Sequence, residues 1–244
     1  MKSPRIYQNT TLNAGNDIEL EKTACHHLTR VLRLKDKDTI VLFNGNGYEY
    51  PASLSLQGKK VFAQIKQEIE VNRESDLSIT LLQGISKGDR MDMCMQKAVE
   101  LGVSKIIPVI CQRTVVNLKA ERGEKKLRHW QGIIISACEQ SGRNILPELI
   151  SPVTLKDVLL QPLNGLRLTL EPNATSGFSS YRPDTNEITL LIGPEGGLTQ
   201  DEIELSLEKQ FNTVLLGKRI LRTETAAIAA ISALQTLWGD FTTD

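Results

Sequence analysis

The chain has 244 residues, of which 40% are hydrophobic and 24% charged, and its 29 basic side chains balance its 29 acidic ones. This composition predicts a globular protein with a sizeable core, and zero net charge means that any nucleic-acid partner must be held by local basic patches. No apolar run approaches the roughly 18 residues of a membrane helix, and the N-terminus lacks the apolar stretch of a signal peptide, so we expect a cytoplasmic protein without a membrane partner. Four widely spaced cysteines with no C-x-x-C pair predict neither a metal site nor a disulfide framework.

Short alternating apolar runs near the N-terminus predict a small antiparallel β barrel. One helix, from about Glu21 to Leu32, interrupts it. The runs, which glycine-bearing turns separate, are Thr39–Phe43, Glu49–Leu54 and Val61–Ile65.

Basic side chains gather at one end of this helix. His27, Arg30 and Arg33 cluster there, beside a hairpin rich in Asn and Gly. The arginines are the better candidates for phosphate contacts, because a His-His pair on an amphipathic helix can equally be partly buried packing. Together with Arg5 near the N-terminus, these residues form the candidate set for binding nucleic-acid phosphates.

A polar stretch from Glu68 to Asp76 is the expected linker, and it divides the chain into domains of residues 1–72 and 73–244. Beyond it, apolar strands alternate with helices, which is typical of an α/β domain with a mostly parallel sheet. One expected helix is capped by Asp89 and ended by Gly102, and another runs from Trp130 to Ser141, after a charged stretch that is by default a solvated face. The expected strands before the C-terminal stretch are Leu77–Leu82, Ile106–Ile110 and Leu166–Leu170.

Near the C-terminus, two apolar strands each lead through a glycine-bearing loop into a helix. The first strand, Ile188–Ile192, precedes the loop Gly193–Leu198, and Thr199 with Glu202 forms a capping box that opens a helix from Gln200 to Gln210. The second strand is Val214–Leu216, its loop is Gly217–Arg222, and Thr223 is the expected cap of a helix from Glu224 to Trp238.

These two loops are expected to share one ligand site, since ligands of open α/β sheets bind outside the carboxyl ends of the strands. Glycines at 193, 196 and 197 leave backbone groups bare, so a flat or anionic ligand can approach the main chain. The spacing matches neither a dinucleotide fingerprint nor a P-loop, and a tight turn alone is an open alternative for Gly196-Gly197. Arg219 and Arg222 beside the second loop favour a ligand site.

The residues of both loops resemble the C-terminal signature of a known family. Gly193–Thr199, Leu216-Gly217 and Ile220–Ala226 are similar to motifs of the RsmE family, which are 16S ribosomal RNA uracil-N3 methyltransferases of the SPOUT superfamily. The resemblance implies an α/β SPOUT methyltransferase domain with a C-terminal trefoil knot, preceded by a small PUA-like β barrel. Two positions depart from the family pattern: Lys37 stands where Gly is usual, and Ser141 where Cys is common.

The resemblance also implies S-adenosyl-L-methionine as cofactor and 16S rRNA of the small ribosomal subunit as partner. A homodimer is expected too, because SPOUT enzymes are typically dimers and the last helix is apolar around most of its circumference. The residues expected to bind the cofactor lie at three strand ends and in the glycine loops: Leu170, Ile192, Gly193, Pro194, Glu195, Gly196, Leu216, Gly217 and Leu221.

Methylation at N3 of uracil requires that the N3 proton be removed or polarised, so an arginine near the carbonyl oxygens could stabilise the uracil anion. The candidates are Arg113, Arg143 and Arg222, although Arg222 could instead be a helix-start residue paired with a nearby glutamate. Glu139 and Glu224 are candidate bases, and because spacing distinguishes neither, the base stays unassigned.

Two other functions stay open. An RNA-binding or ribosome-associated module would have the same loops but would take up no S-adenosylmethionine. A SPOUT enzyme with another RNA target, such as a tRNA ribose 2′-OH, is the second alternative. The N-terminal barrel together with the polar loop Glu139–Asn144 argues against this second alternative, because that combination resembles the uracil-N3 family.

Overall fold

The computed structural model of the chain describes residues 3–58, 60–116 and 120–242. Its contacts divide it into two compact units. Unit 1 comprises Met1–Glu74 together with Cys138–Leu146, and unit 2 comprises Ser75–Ala137 together with Pro147–Asp244. Unit 1 is therefore not one continuous stretch of chain. Its second segment, Cys138–Leu146, follows residues that belong to unit 2.

Unit 1 is built on a six-stranded mixed sheet in the order β1-β3-β4-β5-β2, with β6 pairing β4. Its helix α1 (Lys22–His26) continues as a π-helical turn (His27–Val31), close to the expected helix. The strands are β1 (Arg5–Tyr7), β2 (Asp17–Glu19), β3 (Thr39–Phe43), β4 (Tyr48–Gln57), β5 (Lys60–Ile65) and β6 (Ile69–Glu70).

The expectation of a purely antiparallel sheet is wrong at one pair. β1 runs parallel to β3, whereas the other pairs in the unit are antiparallel. A parallel pair needs a long connection. Here the connection contains β2 and the helix, and it returns the chain in the original direction.

The alternation of buried and partly exposed residues explains how the strands of unit 1 form one core. In β4 the side chains of Tyr50, Ala52 and Leu54 are buried, and the residues between them are partly exposed. β3 and β5 alternate in the same way, so one face of each strand points into the same apolar cluster. Leu28 in the π-helical turn is fully buried in that cluster and holds the helix against the sheet.

Lys37, which stands where the family pattern has glycine, adopts a left-handed backbone conformation of the kind that favours glycine. Its φ is 69°, in the left-handed region, and its N–H donates to the carbonyl of Leu54 at 2.9 Å. A side chain in this region costs roughly 1–2 kcal/mol. The turn at Lys37 is thus formed by a non-glycine residue, at a cost in conformational energy.

Unit 2 contains a seven-stranded, wholly parallel sheet in the order β10-β8-β7-β12-β11-β13, with β9 pairing β8. Its strands are β7 (Ser78–Gly84), β8 (Lys105–Ile110), β9 (Glu148–Leu149), β10 (Val153–Thr154), β11 (Leu166–Leu170), β12 (Glu187–Ile192) and β13 (Asn212–Val214). The remaining helices are α2 (Asp89–Glu100), α3 (Ala120–Ser141), α4 (Leu155–Leu159), α5 (Gln200–Glu208) and α6 (Thr223–Trp238). The α/β class expected from the sequence is confirmed, and the knot stays a prediction.

The central strand β12 shows why apolar runs mark this sheet. From Ile188 to Ile192 every residue is buried, because helices cover both faces of a parallel sheet.

The capping box at the start of α5 is confirmed: Thr199 Oγ1 accepts from the Glu202 N–H, and the Thr199 N–H donates to the Glu202 carboxylate at 2.9 Å. None of the helices in the described ranges is both long and apolar enough to cross a membrane.

Several element ends differ from the predictions. Gly88, not Asp89, precedes α2, and no side chain caps that helix. Arg222 precedes α6, while the Thr223 hydroxyl is used for contacts outside the helix. Strand β13 ends at Val214, because Leu215 leaves the sheet and its N–H donates to the Ser176 carbonyl at 2.8 Å. The charged stretch before Trp130 is helical from Ala120 onwards; Lys119, where that stretch begins, lies outside the described residues.

Candidate active site

A pocket of about 520 Å³ opens in unit 2 where β11, β12 and β13 end. These three strands are neighbours in the sheet, so their carboxyl ends and the loops that follow form one wall. All nine residues expected to bind the cofactor line this pocket, and Arg113 and Arg222 line it as well. The structure thus brings together the two glycine loops that the sequence predicted would share a site. It also adds Arg90 and Asn173, which follow the ends of β7 and β11 and which the prediction did not include.

The loop Gly193–Leu198, here called the glycine loop, packs tightly against its own sheet. A Cβ on Gly84, at the end of β7, would lie 2.3 Å from the backbone nitrogen of Pro194. A Cβ on Gly193 would lie 3.0 Å from the Leu198 nitrogen, and Gly197 has a φ of +70°. Close backbone approach therefore requires glycine at Gly84, and the sharp return of the loop requires it at Gly197.

Arg113 holds the glycine loop from outside the sheet. Its Nη1 donates to the carbonyls of Gly196 at 2.9 Å and Leu198 at 3.2 Å. A Cβ on Gly196 would lie 2.9 Å from Arg113 Cβ, so the two residues pack in direct contact. Arg113 therefore positions the pocket wall, and this contact explains why residue 196 is glycine even before any ligand is considered.

Glu195 is held by donors on the side of α2. Its carboxylate accepts from the Lys87 N–H at 2.8 Å and lies 3.4 Å from Arg90 Nη1. Burial alone would raise the pKa of Glu195, but these donors and the Arg90 charge hold it below the ordinary value. Glu195 is therefore ionised at neutral pH, and its negative charge is already engaged.

The loop Gly217–Arg222, here called the basic loop, carries exposed cations at the pocket rim. Lys218, Arg219 and Arg222 are all exposed. None of the three makes an ion pair within 4 Å in the part of the chain that the structure describes. The suggested pairing of Arg222 with a nearby glutamate is thus not observed, and its guanidinium lies at the pocket without an acidic partner.

The start of α6 is tied to the glycine loop by a short hydrogen-bond chain. Gln83 Nε2 donates to Thr223 Oγ1 at 3.0 Å, and Thr223 Oγ1 donates to the Gly193 carbonyl at 2.8 Å. Because Arg222 immediately precedes Thr223, these bonds fix the backbone from which the Arg222 side chain projects.

Glu224, in the first turn of α6, is buried and is not among the residues that line the pocket. Its side chain is 8% exposed, and Oε2 has no hydrogen-bond partner among the described residues. Burial, together with the nearby Glu224 and Glu195 charges, raises the pKa of the Cys94 thiol to about 12. Cys94 is therefore a protonated, unreactive thiol, as expected for a buried cysteine.

Arg143 and Glu139, also predicted to be catalytic, lie in unit 1 and are not among the residues that line the pocket. Arg143 is 4% exposed, and its Nε donates to both carboxylate oxygens of Glu74 at 3.1 Å. Glu139 accepts a hydrogen bond from the Tyr7 N–H at 3.0 Å. Glu139 therefore ties the end of α3 to β1, and Arg143 ties the segment after α3 to Glu74.

Arg5 lies at the centre of a buried ionic cluster in unit 1. Its guanidinium bonds Glu49, the Asn144 amide oxygen and the Arg143 carbonyl, and it stacks 4.9 Å from the centre of the Phe43 ring. Arg73 donates to the same Glu49 carboxylate at 2.6 Å. Of the candidate RNA-binding residues, Arg5 is thus committed to the fold, whereas His27, Arg30 and Arg33 are exposed. Glu49, Glu74 and Arg73 carried no sequence signal, because isolated charges in strands and linkers are common.

We expect Glu139→Gln to stabilise unit 1 at neutral pH. Burial raises the pKa of Glu139, and the Tyr7 N–H, His27 and Arg5 only partly oppose this. Because the folded-state pKa is raised, the wild type loses stability as pH rises through that pKa, whereas glutamine keeps an acceptor for Tyr7 without a charge. In thermal unfolding from pH 4 to 8, Glu139→Gln should have a higher melting temperature than the wild type, and this difference should disappear at the acid end. The exposed Glu70→Gln is the control.

The same variant separates the two roles considered for Glu139. A general base would lose its function with glutamine, so a fall of about 100-fold or more in methylation rate would identify it as the base. The bond to Tyr7 leads us to expect a rate within a few-fold of the wild type.

In the described ranges, no group of three or more His, Cys, Asp or Glu side chains is placed to hold a metal ion.

Comparison with known proteins identifies the family. A model of the RNA methyltransferase domain matches residues 73–235, and a model of the RNA methyltransferase PUA domain matches residues 20–66. A ribosomal RNA small subunit methyltransferase E of Buchnera aphidicola from Schizaphis graminum is 38% identical over 97% of both chains.

Two solved structures are similar over nearly the whole chain. A methyltransferase of Legionella pneumophila in complex with the cofactor SAM is 43% identical, with a TM-score of 0.95 over 99% of this chain and 100% of that one. A ribosomal RNA small subunit methyltransferase E of Neisseria gonorrhoeae bound to S-adenosyl methionine is also 43% identical, with a TM-score of 0.91 over 98% and 100%. The chain therefore belongs to the ribosomal RNA small subunit methyltransferase E family, the RsmE family that its C-terminal motifs resemble.

Proposed function

We propose that this chain is an S-adenosyl-L-methionine-dependent methyltransferase that modifies N3 of a specific uridine in 16S rRNA of the small ribosomal subunit. One observation carries the proposal. The glycine loop, the basic loop and three strand ends line a single pocket, in a chain 43% identical to relatives described as bound to this cofactor.

The pocket fits such a cofactor in size and chemistry. Its volume of about 520 Å³ lies within the range of small-molecule sites, roughly 300–1,000 Å³. Gly193 and Gly217 line the pocket without side chains, while Leu170, Leu216 and Leu221 offer apolar surface to a flat ring. We propose that these residues, with Ile192 to Glu195, hold the cofactor. When bound, it supplies the electrophilic methyl group.

Arg222 is the arginine that we propose acts on the uracil. Removal of the N3 proton leaves negative charge on the flanking carbonyl oxygens, and a cation placed there stabilises that charge as it develops. Of the three candidate arginines, Arg113 is bonded to the glycine loop and Arg143 to Glu74, whereas Arg222 lines the pocket without an ion pair among the described residues. By stabilising the anion, Arg222 also lowers the demand on the general base.

We further propose that His27, Arg30 and Arg33 in unit 1 bind rRNA phosphates. All three are exposed, and the PUA match covers their segment. Such contacts give an affinity that falls as salt increases. A ribosomal RNA substrate implies that the protein works in the cytoplasm.

A homodimer is the proposed assembly. The inner face of α6, including Ala227, Ala230 and Leu234, is buried within unit 2, while Ile228, Ala229 and Ala233 on other sides are only half-buried. Small side chains let a second helix approach closely, so α6 is a suitable contact surface. Light scattering should give twice the 27.1 kDa of one chain.

The function is tested by incubating the protein with labelled S-adenosylmethionine and small ribosomal subunits that lack the modification, then mapping the labelled nucleotide. Label at N3 of one 16S uridine supports the proposal. Label on a tRNA ribose would indicate the alternative SPOUT activity. Failure to bind the cofactor at all would indicate an RNA-binding module without methyl transfer.

We expect Gly196→Val to weaken cofactor binding by at least about tenfold. Because a Cβ there meets Arg113, valine must displace the side chain that holds the Gly196 and Leu198 carbonyls, and the pocket wall moves with it. Isothermal titration with S-adenosylmethionine measures the change. Gly177→Val is the matched control, since Gly177 has an ordinary φ and open space around its Cβ position. Unchanged affinity in Gly196→Val would remove this loop from the cofactor site.

A further inference from the structure

The basic loop is fixed at both ends, and most of its residues are exposed. At its start, the Leu215 N–H donates to Ser176, and Gly217 turns the chain with a φ of +75°. At its end, the Thr223 hydroxyl anchors the first turn of α6 to Gly193. Between these anchors Gly217 and residues 219–222 line the pocket, and Lys218 and Ile220 are exposed.

The basic loop carries more positive charges than S-adenosylmethionine has anionic groups to pair with. Lys218, Arg219 and Arg222 lie within five residues, repel one another and have no acidic partner within 4 Å in the described ranges. S-adenosylmethionine offers one carboxylate and carries a cationic sulfonium. Lys218, moreover, does not line the pocket. The uncompensated charge therefore suits an anionic partner that extends beyond the pocket rim, as an RNA backbone does.

Ile220 adds an apolar contact at the centre of this charge. Its side chain is 81% exposed, although it sits at the rim of the pocket between Arg219 and Arg222. An enzyme that acts on the Watson–Crick edge of a base must separate that base from its neighbours. RNA- and DNA-binding proteins that separate bases commonly insert an apolar side chain into the stack.

We propose that the basic loop is an RNA-binding element of the active site, which rests on the proposed function. Lys218 and Arg219 contact the phosphates next to the target nucleotide, and Ile220 packs against the neighbouring base to keep the target uracil in the pocket. The loop thus contributes affinity through its cations and presentation of the base through its apolar tip.

Two variants of the full chain separate these contributions. Lys218→Ala with Arg219→Ala should weaken binding to unmodified small subunits by about tenfold or more and reduce the slope of log affinity against log salt by about two. Ile220→Ser should leave binding within about twofold but lower the single-turnover rate at saturating subunits by about tenfold, and Ile220→Leu should retain the rate. Lys156→Ala with Leu160→Ser is the matched control, because both residues are exposed on unit 2 and neither lines the pocket.

The outcomes distinguish this proposal from the function on which it rests. If the wild type methylates 16S rRNA but the loop variants behave like the control, the loop proposal alone is overturned. If the wild type binds the cofactor yet methylates no RNA, the proposed function fails, and loss of RNA binding in the double variant would still support the contact. If Ile220→Ser instead halves the mass measured by light scattering, the loop is an interface between copies of the chain, and the proposal is wrong.

Discussion

Arg222→Ala should lower the single-turnover rate of methyl transfer by about 100- to 1,000-fold, in line with removal of one donor to a developing anion. The guanidinium is at the pocket and has no acidic partner among the described residues, so it is available when charge forms on the uracil. Binding of S-adenosylmethionine and of small subunits should change only a few-fold, because the contribution arises in the transition state.

Single-turnover methylation over a series of subunit concentrations separates binding from chemistry. Arg222→Lys should recover only part of the rate, since an ammonium keeps the charge but cannot donate in the planar, forked geometry of a guanidinium. Lys156→Ala controls for the loss of an exposed cation elsewhere on unit 2. Normal methylation by Arg222→Ala would show that another group stabilises the anion.

The second large effect is expected in the ionic cluster of unit 1. Glu49→Ala removes the carboxylate that Arg5 and Arg73 share, and the Arg5 side chain is only 6% exposed. Loss of one partner leaves a buried charge uncompensated, which typically costs about 3–5 kcal/mol. Hydrogen exchange in peptides of unit 1 should therefore rise sharply, whereas the exposed Glu70→Ala should have little effect.

The dependence of this effect on pH follows from the ionisation of Glu49. Burial would raise its pKa, but hydrogen bonds and charge from Arg73 and Arg5 hold the pKa below the ordinary value of 4.5. A lowered folded-state pKa gives stability that is present above the unfolded pKa and is lost as pH falls through the folded one. The gap between wild type and Glu49→Gln should thus be widest near neutrality and close in acid. A stability difference between the two proteins that did not change with pH would mean that the packing of Glu49, not its charge, is the main source of its contribution.

Much of the fold could be predicted because its signals are local. Strands β3 and β11 match their predicted ranges, since alternating or continuous apolar runs bounded by turns are read directly from sequence. The three-residue strands β1 and β2 are too short to show any period, so neither they nor the parallel pairing of β1 could be found. Thr223 does not cap α6 because the helix already begins at this residue, and its hydroxyl instead bonds Gln83 and the Gly193 carbonyl.

For the candidate site too, some features could be predicted from the sequence and others could not. The clustering of both glycine loops followed from the rule that strand ends share one edge of the sheet, and it needed no tertiary information. The roles of individual arginines did need it. The sequence alone does not distinguish Arg113, Arg143 and Arg222. Their partners do, because Arg113 donates to the Gly196 carbonyl and Arg143 to Glu74. These two arginines hold the chain in place, whereas Arg222 is available to a substrate.

The discontinuity of unit 1 has a consequence for the order of events during synthesis. Chains fold from the N-terminus as they leave the ribosome, yet Arg5 finds two of its partners, the Arg143 carbonyl and Asn144, in Cys138–Leu146. Within Met1–Glu74 Arg5 can pair with Glu49, but its hydrogen bonds to Arg143 and Asn144 form only after α3 has emerged. Contacts so distant in sequence form slowly. Completion of unit 1 is thus timed by the synthesis of the first part of unit 2, Ser75–Ala137.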